Sequence, residues 1–504
     1  MMTTHRPAGR TLAPGLVRAA IISIAALGVL LRLRQYLFNR SLWYDEALLA
    51  EHVAESGFAQ LLDAINGAPF AFLAAARALI LALGRHDWAL RLVPLVAGLL
   101  TLELARRLAD RAFRHAPARL LFLALCAFAA PLVFYASEFK PYAVDVCVAL
   151  LVYLLGAGFV VRDPDRHSVV MLALAGAAAV WLSWASVFVL AAVGLTLWVE
   201  AVFARDRRAM LVLAAIGVAW IASFGASYVA SLSTLTGNSF LDSYWTSAYA
   251  PSPLVNPGWY RDSALGLVRL AFESAGPIGM NPNPSWWSAA NVAIAALAAA
   301  GFACLLKSSP RLFAFALVSI AATVLASGLH AYPFSGRLIL FLVPAVFLAL
   351  SALVDSLASL RPPLGFVAIA VALALTGAEL REALPVAWKP FDWFDIKGAL
   401  EFVRAKRVDG DRVAISVWSR YAWSFYAPEF GLDGLPIVIR IPSEQGAGAF
   451  LREAQEQGIH GRVWIVFSHR FNERFRFFSV VDTKAKRLAS WEGVGAGAYL
   501  VDLP

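Results

Sequence analysis

About eleven apolar runs govern what this chain can fold into. They lie at about 16–35, 88–105, 118–136, 141–161, 168–183, 185–203, 210–232, 286–306, 311–329, 338–358 and 362–378. A run of roughly 17–25 apolar residues crosses a bilayer as a helix. Lipid offers the backbone no hydrogen bonds, so helices are the economical spanning form for such runs. Composition agrees: 60% of the 504 residues are hydrophobic and 15% charged, against about 45–50% and about 25% in soluble proteins. The chain therefore reads as a multi-spanning membrane protein. Its net charge of +9 sits beside the apolar runs, which is orientation signalling rather than a nucleic-acid surface. Cys126, Cys147 and Cys304 fall inside apolar runs without metal-ligand spacing and read as small buried side chains. The basic N-terminus leads into the first run as an uncleaved helix.

One shorter run, PFAFLAAARALILALG (69–84), carries Arg77 at its middle, an expensive residue at bilayer depth. Charge bias decides its placement. If 69–84 does not cross, the inner segments are the N-terminus (Arg6, Arg10, Arg18), RRLADRAFRHAPAR, VRDPDRH, ARDRR, LKSSPR and SLRPP, and every one is basic. If it crosses, 106–119 is pushed outside. The expectation is a chain with its N-terminus inside and C-terminus outside, with 69–84 interfacial. Loops 36–87, 137–142, 233–285 and 330–337 then share the outer face.

Beyond about residue 380 the pattern changes. FDIKGALEFVRAKR and GAFLREAQEQG have helical periodicity and alternate with RVAISVW, PIVIRI, RVWIVFSH and AYLVDL, which are β-rich. The expected organisation is an all-α polytopic membrane domain over 1–379, followed by a small extracytoplasmic α/β domain over 380–504.

The least generic outer segments carry the chemistry. SLWYDEALLAEH places Asp45 and Glu46 together where the chain leaves its first span. Neighbours on a helix point about 100° apart, so the two cannot face one site equally. Two readings stand: Asp45 caps the helix while Glu46 favours its dipole, or one acid is catalytic. His52 reads as an interfacial side chain. In YASEFKPYAVD, Glu138 and Lys140 precede Pro141, which suits a helix start. This helix runs inward, so its positive end beside Lys140 suits a phosphate; the alternative is a solvated start with a snorkelling lysine. Arg337 repeats the pattern after FSG. Acid and phosphate site on an outer face suggest group transfer from a phosphate-bearing donor. No Gly-rich nucleotide loop is present, which favours a lipid-phosphate donor with an acid deprotonating the acceptor hydroxyl.

SLWYDEALLA, the interfacial run with GRHDWALRLVPLVAGLLTLELARRLA, and YASEFKPYA together resemble bacterial glycosyltransferase family 39. These are GT-C-fold enzymes similar to protein O-mannosyltransferases, the lipid A aminoarabinose transferase and rhizobial lipopolysaccharide-core transferases. The resemblance spans roughly 16–350, and the C-terminal domain adds nothing clear to it. Many relatives carry Pro-Pro where this chain has Ala68-Pro69. The resemblance implies inverting transfer from a polyprenyl-phosphate sugar to an envelope glycan, lipid or protein acceptor, at the periplasmic face of a bacterial inner membrane. It implies Asp45 as base, Glu138 as second acid, Lys140 and Arg337 as phosphate contacts, and Glu46 and Tyr142 among the substrate-binding residues. A divalent metal is used by some GT-C enzymes and not by others. Trp43, Tyr44, Trp245, Tyr249 and Trp259 read as an interfacial belt.

Two other readings follow from the residues. A lipid-sugar flippase should hold its polar groups near the midplane, whereas here the acids gather at outer ends. A non-catalytic envelope scaffold would leave Asp45, Glu46, Lys140 and Arg337 dispensable.

Overall fold

The computed structural model describes residues 13–63, 68–235, 243–272, 289–360, 364–441, 446–468 and 474–504. Arg6, Arg10 and much of loop 233–285 lie outside the described residues. The chain forms two compact units. One comprises Met1–Leu37, Leu62–Ala75 and Arg91–Pro390; the other comprises Phe38–Leu61, Ala76–Leu90 and Phe391–Pro504. Loop 36–87 is thus divided, and its acidic segment belongs to the same unit as the C-terminal residues.

The first unit is helical and polytopic. Among the described residues, eight helices are long and apolar enough to cross a membrane. Ala116–Phe128, Tyr142–Gly158 and Arg166–Leu182 are shorter apolar helices on three further runs. Small residues set their spacing, as bilayer packing requires. A Cβ on Gly28 would come 2.9 Å from the Ala127 methyl, and one on Gly98 2.5 Å from that of Ala136. At Gly301 it would overlap the Ala349 carbonyl, so Ala289–Ser308 meets Val343–Ala358 backbone to backbone.

One break in this unit is built with care. The Ala116–Phe128 helix stops, and a second, Ala130–Tyr135, begins with Pro131 in its first turn. Proline has no N–H and crowds the carbonyl four residues back, here that of Ala127. Arg32, fully buried in the Pro14–Phe38 helix, donates to the carbonyls of Ala127 (2.8 Å) and Cys126 (2.9 Å). The guanidinium thus supplies donors that apolar surroundings withhold.

The second unit has a mixed sheet at its centre: β1 (Arg412–Ser416), β2 (Ile437–Ile441), β3 (Gly461–Ser468), β4 (Lys486–Gly493) and β5 (Ala496–Leu503), in spatial order β2-β1-β3-β5-β4. Strands β2, β1 and β3 are parallel; β3, β5 and β4 are antiparallel. Helices Ile396–Lys406, Arg420–Tyr426, Gly446–Glu456 and Arg474–Val481 accompany it, and Phe450, Ile465, Phe477 and Tyr499 centre its core. Gly495 turns the β4–β5 hairpin at φ 61°, and a Cβ there would overlap the Trp393 carbonyl. Helix Phe70–Leu83 has 14 residues, about 21 Å of rise, short of the ~30 Å hydrocarbon core. Its Arg77 donates to the carbonyls of Val53 (3.0 Å) and Ala54 (2.8 Å), the closing turn of Tyr44–Glu55. That employment explains an arginine in an apolar run: it satisfies helix-end carbonyls.

Candidate functional site

In the second unit the acidic loop begins at Asn39, whose φ of 48° is a left-handed conformation that asparagine tolerates better than most residues. Trp43 precedes the Tyr44–Glu55 helix. The capping carboxylate is Glu46, not Asp45. It accepts from the Trp43 backbone N–H (3.4 Å) and from Arg40 (2.7 Å), and the Glu46 and Arg40 side chains are 0% and 4% exposed. Asp45 is half-buried one position earlier. Beside it, Tyr44 meets Trp418 and Tyr421 edge to face at 5.1 and 5.4 Å, and Arg420 lies 5.0 Å over the Tyr421 ring. Burial, then Tyr421 and Asp45, push the Tyr44 phenol up to about 12, against the opposing pull of Arg420.

The loop is held by a buried node at Asp87. Its carboxylate accepts from Tyr426 Oη (2.7 Å), from Asn39 Nδ2 (3.0 Å) and from the Trp88 N–H (2.9 Å), and pairs with Lys397 Nζ at 2.5 Å. Lys397 also donates to the Asn39 carbonyl (2.8 Å) and, through its backbone N–H, to Ser41 Oγ (3.2 Å). Tyr426 Oη accepts the Leu42 N–H at 2.9 Å. Sequence reasoning gave Asp87, Lys397, Tyr426 and Arg40 no role. The one available signal was Asp87 itself, within RHDWALRL; its partners more than 300 residues away carry none.

In the first unit, residues 136–141 make a tight turn between Ala130–Tyr135 and Tyr142–Gly158. The Lys140 N–H donates to the Glu138 carbonyl (2.7 Å), and Ser137 Oγ donates to that of Phe134 (3.1 Å). Glu138 and Lys140 are only 1% and 2% exposed, although ionisable side chains avoid burial unless held by partners. Phe139 stacks on Phe72 at 5.2 Å. Arg337 lies 5.8 Å over the ring of Tyr142, the first residue of the helix that Lys140-Pro141 introduces. The two expected cations thus serve one helix start. Tyr332, near Asp145 and Tyr142, has its phenol held well above the ordinary value by burial and then by those two neighbours; it donates to the Leu338 carbonyl (2.7 Å). The expected inward α-helix at Arg337 begins instead as a 3-10 segment, Gly336–Leu342, and becomes α only at Val343, where Pro344 fits a first turn.

Segments 243–260 and 327–334 of this unit also meet. Phe334 N–H donates to the Ala248 carbonyl (2.9 Å), the Trp259 indole to that of Ser247 (3.2 Å), and Tyr249 lies 4.7 Å from the His330 ring. Trp245 packs edge to face on Tyr244. Among the described residues, no group of three or more His, Cys, Asp or Glu side chains is arranged to hold a metal ion.

Comparison with solved structures establishes the fold. The crystal structure of ArnT from Cupriavidus metallidurans bound to undecaprenyl phosphate superposes with a TM-score of 0.53 at 15% identity, covering 97% of this chain and 98% of that one. Its apo form gives 0.53 at 13%, covering 96% and 98%. The Archaeoglobus fulgidus oligosaccharyltransferase in complex with Zn and sulfate gives 0.51 at 14%, covering 95% and 72%. No protein-family model matches the chain, and a search of curated proteins finds no match. The chain is a multi-pass membrane protein with a GT-C fold and a small sheet-containing C-terminal region.

Proposed function

We propose that the chain transfers a sugar from a polyprenyl-phosphate donor to a hydroxyl acceptor at the periplasmic face of a bacterial inner membrane. The observation that carries this reading is the 136–141 turn, which buries a carboxylate and an ammonium at the start of the Tyr142–Gly158 helix and has Arg337 over that helix's first residue. Cationic side chains at a helix N-terminus suit a phosphate, and undecaprenyl phosphate is the ligand in one structural neighbour.

In the proposed step, Asp45 takes the proton of the acceptor hydroxyl. That oxygen attacks the anomeric carbon on the face opposite the phosphate, and a new C–O bond forms with inversion. The old bond to the phosphate oxygen breaks, and its electron pair leaves with polyprenyl phosphate. Lys140 and Arg337 stabilise the charge gathering on that phosphate. Glu138 orients the sugar or acceptor, and Tyr142 lines the donor. Glu46, whose carboxylate is committed to Arg40 and the Trp43 N–H, contributes by fixing the helix that carries Asp45. The step as written needs no metal, and a divalent ion acting on the phosphate is compatible with it. The acceptor classes are lipid A, another polysaccharide, a lipid or a protein. Neither the flippase nor the scaffold reading is favoured by a feature of the described residues.

The test is mass spectrometry of envelope glycans and lipid A from a deletion strain complemented with wild type or Asp45→Asn at matched protein level. Wild type should restore a missing sugar, and Asp45→Asn should lower that product at least about 100-fold, the scale of lost general-base catalysis. Full restoration by Asp45→Asn would remove Asp45 from the chemistry.

A further inference from the structure

We infer that Asp87, Lys397 and Tyr426 are positioning residues for the acidic loop, so that the C-terminal region is an obligate part of the catalytic apparatus rather than a cover or an acceptor-recognition module. This rests on the reading of Asp45 as the base. The loop leaves the first span through a left-handed Asn39, a conformation open to asparagine that sets the direction of the chain there. Both ends of that residue are clamped by this group: the side-chain amide donates to Asp87 (3.0 Å), and the carbonyl accepts from Lys397 Nζ (2.8 Å). Two residues on, Ser41 Oγ accepts the Lys397 backbone N–H (3.2 Å). Next, the Leu42 N–H donates to Tyr426 Oη (2.9 Å), whose own proton goes to Asp87 (2.7 Å).

Residues 39, 41 and 42 are therefore each tied to the Asp87–Lys397–Tyr426 group, directly ahead of the helix that carries Asp45. Lys397 lies in the first turn of the Ile396–Lys406 helix and Tyr426 closes Arg420–Tyr426, so both anchors come from regular helices. Asp87 is 3% exposed, and a carboxylate so buried has to keep its donors. The Lys397 ammonium also lies 5.4 Å over the Tyr426 ring, which ties the two anchors to one another. These bonds restrain the turn that sets the direction of the following helix. Catalysis is sensitive to that direction, since a displacement of about 1 Å can cost on the order of 100-fold.

The experiment compares wild type, Lys397→Met, Lys397→Arg, Tyr426→Phe and Asp45→Asn in the deletion strain at matched levels of folded membrane protein. The product-to-precursor ratio is read by mass spectrometry, and backbone hydrogen exchange of residues 39–46 is read on the purified full chain. Lys397→Met and Tyr426→Phe should each lower the ratio about 10-fold or more, and Lys397→Arg, which keeps the cation, should stay within about 3-fold of wild type. Exchange in 39–46 should quicken in Tyr426→Phe while β5 stays protected. Product ratios within about 2-fold of wild type for both Lys397→Met and Tyr426→Phe would overturn the inference, as would unchanged exchange in 39–46. Should Lys397→Met fail to accumulate, Tyr426→Phe, which removes a single hydroxyl, decides the matter. An active Asp45→Asn would instead sink the reading of Asp45 as base, and the exchange measurement would then decide alone whether the three residues hold the loop.

Discussion

Glu46 and Asp45 are adjacent in sequence and identical in charge, yet their settings differ. Glu46 is buried against Arg40 and the helix start, whereas Asp45 keeps partial exposure beside Tyr44. The sequence made the pair visible but not this division, because Arg40 is only one of many arginines flanking spans. A third carboxylate, Asp411, is 2% exposed and is held by three donors. Burial alone would raise its pKa, but hydrogen bonds from Arg462, the Trp464 indole (2.8 Å) and the Val408 N–H (3.1 Å) outweigh burial and hold it below the usual range. A carboxyl depressed by folding stabilises the fold above its unfolded value of about 3.9, and that stabilisation is lost as pH falls through the lower folded value. In scanning fluorimetry of the full chain, Asp411→Asn should therefore melt below wild type by a constant margin from about pH 8 to about pH 5. The margin should narrow below about pH 4. A gap that widens in acid would contradict the sign.

At the scale of elements, the length of the apolar runs located the helices of the first unit because lipid leaves the backbone one economical solution. Short β-rich runs likewise located β1, β2, β3 and β5. Strand β4, KRLASWEG, escaped because it lies at the sheet edge with mostly exposed side chains, where neither face demands a hydrophobic pattern. The break at Ala129 escaped as well, since its remedy, Arg32, lies nearly a hundred residues away. Close helix contacts are less legible than helices, because a glycine in an apolar run does not declare which neighbour it meets. Gly301 and Gly217 make the distinction measurable. A Cβ at Gly301 would enter the Ala349 carbonyl, whereas at Gly217 it meets nothing within 4 Å. Gly301→Ala should lower the thermal midpoint in detergent and reduce accumulation, with overpacking costing about 1–3 kcal/mol. Gly217→Ala should be neutral or stabilising by up to about 1 kcal/mol, from helix propensity. Equal midpoints for the two variants would mean that these helices do not approach so closely.

For the whole molecule, everything chemical depends on which side the loops face, and charge bias alone set that expectation. The short Phe70–Leu83 helix was the pivotal element: if it crossed, every later segment would change sides. Its length and the use of Arg77 on the end of Tyr44–Glu55 give it a structural occupation apart from spanning. Three reporters, each with one added accessible cysteine, separate the cases in a background lacking Cys304, with Cys126 and Cys147 already buried. Leu254 is 96% exposed in the loop expected outside. Arg107 and Arg208 have side chains 60% and 76% exposed on expected inner segments. In intact spheroplasts a membrane-impermeant maleimide should label Leu254→Cys and spare Arg107→Cys and Arg208→Cys until the membrane is opened. Labelling of Arg107→Cys and Arg208→Cys with protection of Leu254→Cys would mean that Phe70–Leu83 crosses or that the whole chain is inverted. An arrangement with Arg107→Cys and Leu254→Cys both labelled would mean one crossing more or one fewer between them than the apolar runs imply. In an inverted chain Asp45 would face the cytosol, where soluble nucleotide sugars compete as donors, and the case for a lipid-delivered sugar would lose its premise.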